Sequence, residues 1–390
     1  MDLPSSVRAS RRSNVDPFRA MDVMAEANRM RAAGLPVISL AVGQPSASVP
    51  ERALEATRAF MDAGKIGYTD ALGRSSLRER VARQAHEAYG VSLAADRIMI
   101  TTGSSAGFNL AFLAAFDAAD RVAIATPGYP AYRNILRALG LRPVEIPVDA
   151  SDGYLLTAER LLKEHRREPL QGVLIASPAN PTGTVTPRAE FERLIRVAER
   201  EQITFISDEI YHGLVFGEPA ASALEFTDRA IVVNSFSKYY CMTGWRVGWL
   251  ALPPELVRVA ERLAQSLYIS PPELSQVAAE AVMDATAELD AIRDVYDSNR
   301  RLLEAALPQI GFRDMAPVDG AFYAYAGVPD GEGEATAFAR RILAETHVAI
   351  TPGTDFDPAR GEGFVRLSYA GHPTEIATAV ERLRRHLARA

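Results

Sequence analysis

From residue 97 onward the chain repeats one rhythm: a short unbroken apolar run, a polar loop, then a segment with helical spacing. The runs are Arg97-Ile-Met-Ile, Val122-Ala-Ile-Ala, Gly172-Val-Leu-Ile-Ala, Ile203-Thr-Phe-Ile, Ile231-Val-Val and Val247-Gly-Trp-Leu. Runs that do not alternate apolar with polar belong to strands buried on both faces. Strands alternating with helices build a sheet that is mostly parallel and covered on each side. The expected fold class is therefore α/β, with a mostly parallel central sheet, helices on both faces, and a smaller α+β domain.

The helices between the runs are expected near 105–116, 130–139 and 187–200, the last opened by Thr186-Pro187 at N-cap and N1. Upstream, Phe18–Ala33 has helical spacing and stops at Gly34, and Val37–Val42 runs into the turn Gly43-Gln-Pro45. Helices follow near 51–63 and 75–89, the second with Ser75 and Ser76 as cap candidates and Gly90 at its end. Residues 253–306 read as helical. Beyond them, 321–326 and 364–369 read as strands, and 334–346 and 373–388 as helices. The expected division is an N-terminal arm with part of a small domain (1–45), a large domain (46–300) and a C-terminal small domain (301–390).

Charge narrows the partners. With 43 Lys+Arg against 49 Asp+Glu the net charge is −6, the wrong sign for non-specific nucleic-acid binding. The one cysteine, Cys241, excludes an internal disulfide and a multi-cysteine zinc site, and no His-Glu-x-x-His pattern occurs, so no metal is expected. The N-terminus lacks an apolar signal region, and the longest apolar runs are too short for a bilayer. A cytoplasmic protein without a membrane partner is expected.

Ligands of open α/β sheets bind beyond the carboxyl ends of the strands. Five successive strand ends lead to Thr102-Gly-Ser-Ser, Thr126-Pro-Gly-Tyr129, Ser177-Pro-Ala-Asn180, Asp208-Glu-Ile-Tyr211 and Asn234-Ser-Phe-Ser-Lys238. Hydroxyls, an aromatic ring, an amide, a carboxylate and a lysine thus reach one rim.

Gly103-Ser104-Ser105 between strand and helix suits an anion held by backbone N–H groups, or is a glycine turn followed by a serine N-cap. Lys238 is either a solvated surface group or, at the end of a buried strand with Arg246 nearby, an amine whose pKa is lowered toward nucleophilicity. Bulky neighbours in Gly244-Trp-Arg-Val-Gly-Trp249 suggest a buried Arg246 that needs an anion such as phosphate. Asp208 is a helix N-cap or the holder of a protonated ring nitrogen, with Tyr211 one helical turn on. Glu209 and His212 read as structural, since a di-iron site needs paired copies and further carboxylates.

These residues resemble the class I/II aminotransferases, fold-type I enzymes of the aspartate aminotransferase superfamily that depend on pyridoxal 5'-phosphate (PLP). The similarity runs from about residue 18 to the C-terminus. It is strongest in Ser235-Phe-Ser-Lys238-Tyr-Tyr-Cys-Met-Thr-Gly-Trp-Arg246, in Ser177-Pro-Ala-Asn180-Pro-Thr-Gly and in Phe364-Val-Arg366-Leu-Ser. Gly43-Gln-Pro, Gly67-Tyr68-Thr and Gly320-Ala-Phe-Tyr323 add weaker support.

The resemblance implies Lys238 as Schiff-base lysine and proton shuttle. It puts the phosphate among Gly103, Ser104, Ser105, Ser235 and Arg246, with Tyr68 reaching it from the neighbouring subunit of a homodimer. Tyr129 would stack on the pyridine ring, Asn180 and Tyr211 would bond its hydroxyl oxygen, and Asp208 would pair with its nitrogen. Arg366 would grip the substrate α-carboxylate beside Gly43 and Asn180. The implied reaction moves an amino group from an L-amino acid to a 2-oxo acid by a ping-pong cycle.

Ser46-Ala47, Ala106-Gly107 and Asp357 depart from the usual pattern, which is Asp-Phe, Ala-Leu and Gly at those places. A PLP-dependent lyase, carbon–sulfur or cyclopropane-forming, would use the same residues. Gly103-Ser-Ser105-Ala-Gly107 also fits the nucleophile elbow of an α/β-hydrolase with Ser105 as nucleophile, though that leaves Lys238, Asp208 and the Asn180 turn without a role. An effector-sensing regulator with a DNA-binding domain is not expected from about 17 residues ahead of the first helix and a net acidic chain, and no phosphate-loop motif supports nucleotide binding.

Overall fold

A computed structural model describes residues 8–388, so residues 1–7 of the expected arm lie outside the described residues. The N-terminal third holds α1 (Arg19–Ala32), β1 (Ile38–Ser39), α2 (Glu51–Asp62) and α3 (Ser75–Tyr89). The repeating portion follows as β2 (Ile98–Thr101), α4 (Ser104–Ala115), β3 (Arg121–Thr126), α5 (Pro130–Ala138), β4 (Arg142–Pro147), α6 (Ala158–Arg167), β5 (Gly172–Ala176) and α7 (Arg188–Arg200). It continues with β6 (Thr204–Asp208), β7 (Ile231–Ser235) and β8 (Gly248–Ala251). Helices α8 (Pro254–Leu267), α9 (Glu273–Val282) and α10 (Thr286–Gln309) come next. The chain ends with β9 (Tyr323–Gly327), α11 (Ala335–Thr346), β10 (Val348–Ala349), β11 (Thr351–Pro352), β12 (Phe364–Ser368) and α12 (Pro373–Leu387).

The seven-stranded sheet has the order β2-β8-β7-β6-β5-β3-β4. Strand β8 is antiparallel to both of its neighbours, so β2 runs in the same direction as the parallel set. Alternate residues of each central strand point to opposite faces. Val173, Phe205 and Val232 enter one core with Phe191 and Leu194 of α7. Leu174, Ile206 and Val233 enter the other with Phe108 and Phe112 of α4 and Leu136 of α5. This two-sided burial is why the runs read as unbroken apolar stretches.

Beyond the sheet, β9, β11 and β12 form an antiparallel sheet, and β1 pairs parallel with β10, bringing the N-terminal segment against the C-terminal third. Helix α10 spans two cores: Leu289 packs with the large sheet, while Tyr296, Leu303 and Leu307 pack around β9 and β12. No helix among the described residues is long and apolar enough to cross a membrane.

Some expectations are corrected. Helix α3 is preceded by Arg74 without a side-chain cap, and Ser76 donates to Glu280 at 2.7 Å instead. Helix α7 starts one residue later than expected, with Pro187 at the N-cap position. Tyr211 sits in a non-helical turn, in which Asp208 accepts from the Ile210 N–H at 3.1 Å. Strand β4, Arg-Pro-Val-Glu-Ile-Pro, was not anticipated; its two prolines are tolerated because it is an edge strand.

Candidate active site

The carboxyl ends of β2, β3, β5, β6 and β7 open into one cleft of about 410 Å³, closed on the far side by α1, the turn after β1 and the loop before β12. Ser104, Ser105, Tyr129, Asn180, Tyr211, Lys238, Arg246, Gly43 and Arg366 all line it. Residues spread over more than 300 positions therefore converge as the strand-end reading requires.

At one end lies an anion cradle. Gly103, not a serine, is the N-cap of α4, at φ +82° and without a side-chain cap. Ser104 and Ser105 occupy the first turn, where N–H groups have no carbonyl four residues back. A Cβ at 103 would collide with the Arg246 guanidinium, so glycine is what lets the cation approach the helix end. Arg246 is exposed to the cleft, not buried as its bulky neighbours suggest, and its Nη1 donates to the Thr243 carbonyl at 2.8 Å. A cation beside free helix N–H groups attracts an anion from both sides.

Ser235 is 2% exposed and does not line the cleft; its hydroxyl donates to Ser237 Oγ at 2.9 Å. Ser237, two residues on, lines the cleft. Tyr68 is 83% exposed and does not reach the cleft of its own chain.

Lys238 is half-buried, and its Nζ donates to the Gly43 carbonyl at 2.7 Å. Burial, then Arg366 and Arg246, pull the ammonium pKa down to about 8, with Asp208 opposing. About a tenth of the amine is thus unprotonated at pH 7.

Asp208 is 2% exposed at the end of β6 and has no cation within ion-pair distance among the described residues. Desolvation raises its carboxyl to about 7, against the Tyr132 hydroxyl and the Ile210 N–H, which favour the ionised form. Tyr132 was not picked out from sequence. Its ring packs edge-on to Tyr129 at 5.3 Å, which in turn lies 6.1 Å from Phe18. Burial pushes the Tyr129 phenol up to about 12, and the Tyr211 phenol, 2.9 Å from the Tyr323 hydroxyl, well above its usual range, so both stay neutral.

Arg366, on β12, is 4% exposed. Its guanidinium lies 4.3 Å from the Tyr323 ring centroid and 4.6 Å from that of Phe356. Nη1 donates to Asn180 Oδ1 at 2.9 Å and Nη2 to the Ala41 carbonyl at 2.6 Å, while Nε is buried without a partner. A buried guanidinium with an orphaned N–H and no carboxylate is prepared for an incoming one. Phe18, Met21, Val42, Gln44 and Phe356 also line the cleft, as do Tyr323 and Asp355. None of the first five carries a chemical signature in sequence.

Glu209 accepts from Ser207, Ser222 and the Ala223 N–H in the interior, the structural use expected of it. No histidine is among the residues lining the cleft, so Ser105 has no triad histidine there and the Ser-acid-His hydrolase reading falls.

The donor set calls for a molecule with an anionic group, a carbon that an amine can attack and a basic ring atom for a buried carboxyl. PLP carries all three, and the orphaned Arg366 N–H and the Gly103–Arg246 cradle fit its presence. The family described as aminotransferase class I and II matches residues 36–383. The chain is a class I/II aminotransferase. The valine–pyruvate aminotransferase of Mycobacterium tuberculosis is 48% identical to it over 381 residues, covering 96% of this chain and 97% of the relative. The (5-formylfuran-3-yl)methyl phosphate transaminase of Methanocaldococcus jannaschii is 33% identical, covering 96% and 98%. Among solved structures, an aminotransferase from Mycobacterium tuberculosis superposes with a TM-score of 0.96 at 46% identity, covering 99% of this chain and 100% of that one. The aspartate aminotransferase of Thermus thermophilus with maleate superposes at 0.89 and 31% identity, covering 97% and 99%. As an aminotransferase of this family the enzyme uses PLP, and the α/β fold expected from the strand rhythm is the family's fold.

Proposed function

We propose that this aminotransferase takes L-amino acids with apolar, branched side chains as donors and pyruvate or a related 2-oxo acid as acceptor. The composition of the cleft carries the reading. Its cations are Lys238, Arg246 and Arg366, each with a part in cofactor or α-carboxylate binding, and Phe18, Met21, Val42 and Phe356 leave an apolar lining for the side chain. A dicarboxylate donor would find no further cation among the lining residues of this chain. The similarity to a valine–pyruvate aminotransferase supports the same choice.

In this reading Gly103, Ser104, Ser105 and Arg246 hold the PLP phosphate, Ser237 stands beside them, and Ser235 fixes Ser237 from behind. Tyr129 would face the ring, Asn180 and Tyr211 would bond its oxygen, and Asp208 would keep a proton on its nitrogen. The cofactor, when bound, supplies an acceptor for the electrons left when a bond at substrate Cα breaks. Lys238 would hold the cofactor covalently, and its amine is the group placed to carry the proton of substrate Cα, worth about 10²–10⁴ in rate. Arg366 holds the α-carboxylate through charge-assisted hydrogen bonds, about 1.5–3 kcal/mol each.

The large domain comprises residues 46–300, and the small domain joins part of the segment up to residue 45 to residues 301–390. The enzyme acts as a homodimer. Met61, Ile66, Tyr68, Leu267 and Ile269 are all more than half exposed, and Gly67 and Thr69 are tied to Glu273 and Ser270 by hydrogen bonds of 2.8 and 3.3 Å. This tied-down apolar surface suits a second copy, with Tyr68 crossing to the neighbour's phosphate.

A donor panel with pyruvate and 2-oxoglutarate tests the substrate class. Valine is expected to exceed aspartate and glutamate in kcat/KM by at least about tenfold. Equal or better use of aspartate overturns the reading.

A further inference from the structure

The loop before β12 does more than carry Phe356 to Arg366. Its Asp355 is 3% exposed and has no cation within ion-pair distance among the described residues. Both carboxylate oxygens point at the start of α1: Oδ1 accepts from the Arg19 N–H at 2.8 Å and Oδ2 from the Ala20 N–H at 2.9 Å. Phe18, the N-cap residue of α1, provides no side-chain cap. A carboxylate from another part of the fold therefore does that work, in the favourable field of the helix N-terminus.

The loop that carries Asp355 is rigid. The Asp355 carbonyl accepts from Arg133 Nη2 at 2.8 Å, and the Phe356 carbonyl accepts from the Gly128 N–H at 3.1 Å. Asp357, in place of the family's usual glycine, accepts from Arg360 Nε at 2.7 Å, and Arg360 Nη2 donates to the Thr126 carbonyl at 2.8 Å. A Cβ at Gly353 would overlap the Gly361 and Phe364 carbonyls, so the turn admits nothing larger. Helix α1, by contrast, buries only Ala27 among its own residues. A rigid carboxylate thus holds one end of a helix with little packing of its own, and that end delivers Phe18 and Met21 to the cleft.

We infer that Asp355 is the positioning residue for donor selectivity: by capping α1 it holds Phe18 and Met21 as the wall that a branched apolar side chain packs against. The inference rests on the apolar-donor reading above. Asp355 acts through α1, and Phe18, Met21 and Phe356 make the contact with the donor. Placement of the wall matters because one methylene in an apolar pocket is worth about 10–200-fold in discrimination.

The test uses the holoenzyme and two readouts. The first half-reaction is followed spectroscopically with valine and with alanine as donor, giving kcat/KM for each. Amide hydrogen exchange is measured for the peptide that spans residues 18–25. Asp355→Ala is expected to lower the valine-to-alanine ratio about tenfold and to speed exchange in that peptide. Met21→Ala is expected to lower the ratio without changing exchange. An unchanged ratio in Asp355→Ala overturns the inference, whatever exchange does. A lowered ratio with unchanged exchange overturns it too, because Asp355 then acts on the donor directly. If Asp355→Ala does not fold, Asp355→Asn, which keeps one acceptor oxygen, is read by the same two measures. A wild-type enzyme without a preference for valine refutes the donor reading, whereas a preference untouched at position 355 refutes only the inference.

Discussion

Two walls of different origin face each other across the cleft. One is the rim of the central sheet, where Tyr129, Asn180, Tyr211, Lys238 and the Gly103 turn each follow a strand end. The other is assembled from α1, the turn after β1 and the loop before β12, and brings Phe18, Met21, Val42, Phe356 and Arg366. The rim is fixed by ladders between strands buried on both faces, and its residues are separated from one another by short crossovers. The opposite wall depends on contacts between segments more than 300 residues apart, such as Asp355 with Arg19. In the proposed function, chemistry common to every substrate belongs on the first wall and at Arg366. Selection among substrates belongs on the rest of the second wall, where loops and a weakly packed helix can vary without disturbing the sheet.

If that division holds, damage at the rim is blind to the donor. Lys238→Ala is expected to abolish turnover with every amino acid alike, on the order of 10⁴-fold or more, since it removes both the covalent anchor and the proton carrier. Borohydride treatment of wild-type holoenzyme followed by peptide mapping should place the cofactor label on residue 238, and the variant should take up none. A label on another lysine, or residual turnover that favours one donor, breaks the comparison.

Arg366 faces the rim from the opposite wall and, in the proposed function, grips what all donors share. Arg366→Lys keeps the charge but loses the fork that bonds Asn180 and the Ala41 carbonyl while offering Nε to a carboxylate. The expected loss is about 10–150-fold in kcat/KM, mostly in KM, and equal for valine and alanine; it follows from about 1.5–3 kcal/mol for a charged hydrogen bond. A loss that depends on the side chain would show that the second wall is not divided between carboxylate grip and side-chain fit.

Most of the rim was legible in sequence, because a strand end is a local signal: an apolar run stops and a functional residue follows. Lys238, Asp208, Asn180 and Tyr129 are found that way. What the sequence leaves open on that wall is fine placement. Ser235 and Ser237 lie two residues apart, and only the path of the turn decides which hydroxyl meets the cleft. Arg246 looked buried because tryptophans flank it, but its left-handed backbone (φ +51°) turns the side chain outward. On the second wall, Arg366 was legible only through resemblance to a known family. Phe18 and Met21 read as ordinary helix residues. Asp355 works by accepting from backbone N–H groups, which every residue except proline possesses, so its partner leaves no mark in the sequence.

The smallest expected effect probes the back of the rim. Tyr132 donates to Asp208 and favours its ionised form, the form able to hold a protonated ring nitrogen. Burial has already lifted the Asp208 carboxyl to about 7. Because this pKa is raised, activity that needs the carboxylate is lost as pH falls through it. Tyr132→Phe removes a hydrogen bond that lowers the pKa, so the acid limb of the kcat profile should move to higher pH by about one unit, the equivalent of one charged hydrogen bond. At neutral pH the loss would be about 3–10-fold, equal for valine and alanine, and it should largely vanish one to two units above the new limb. A limb that stays in place shows that Tyr132 only packs against Tyr129. A limb that moves for one donor and not for the other would put selection on the sheet side of the cleft, where the strand-end geometry leaves no room for it.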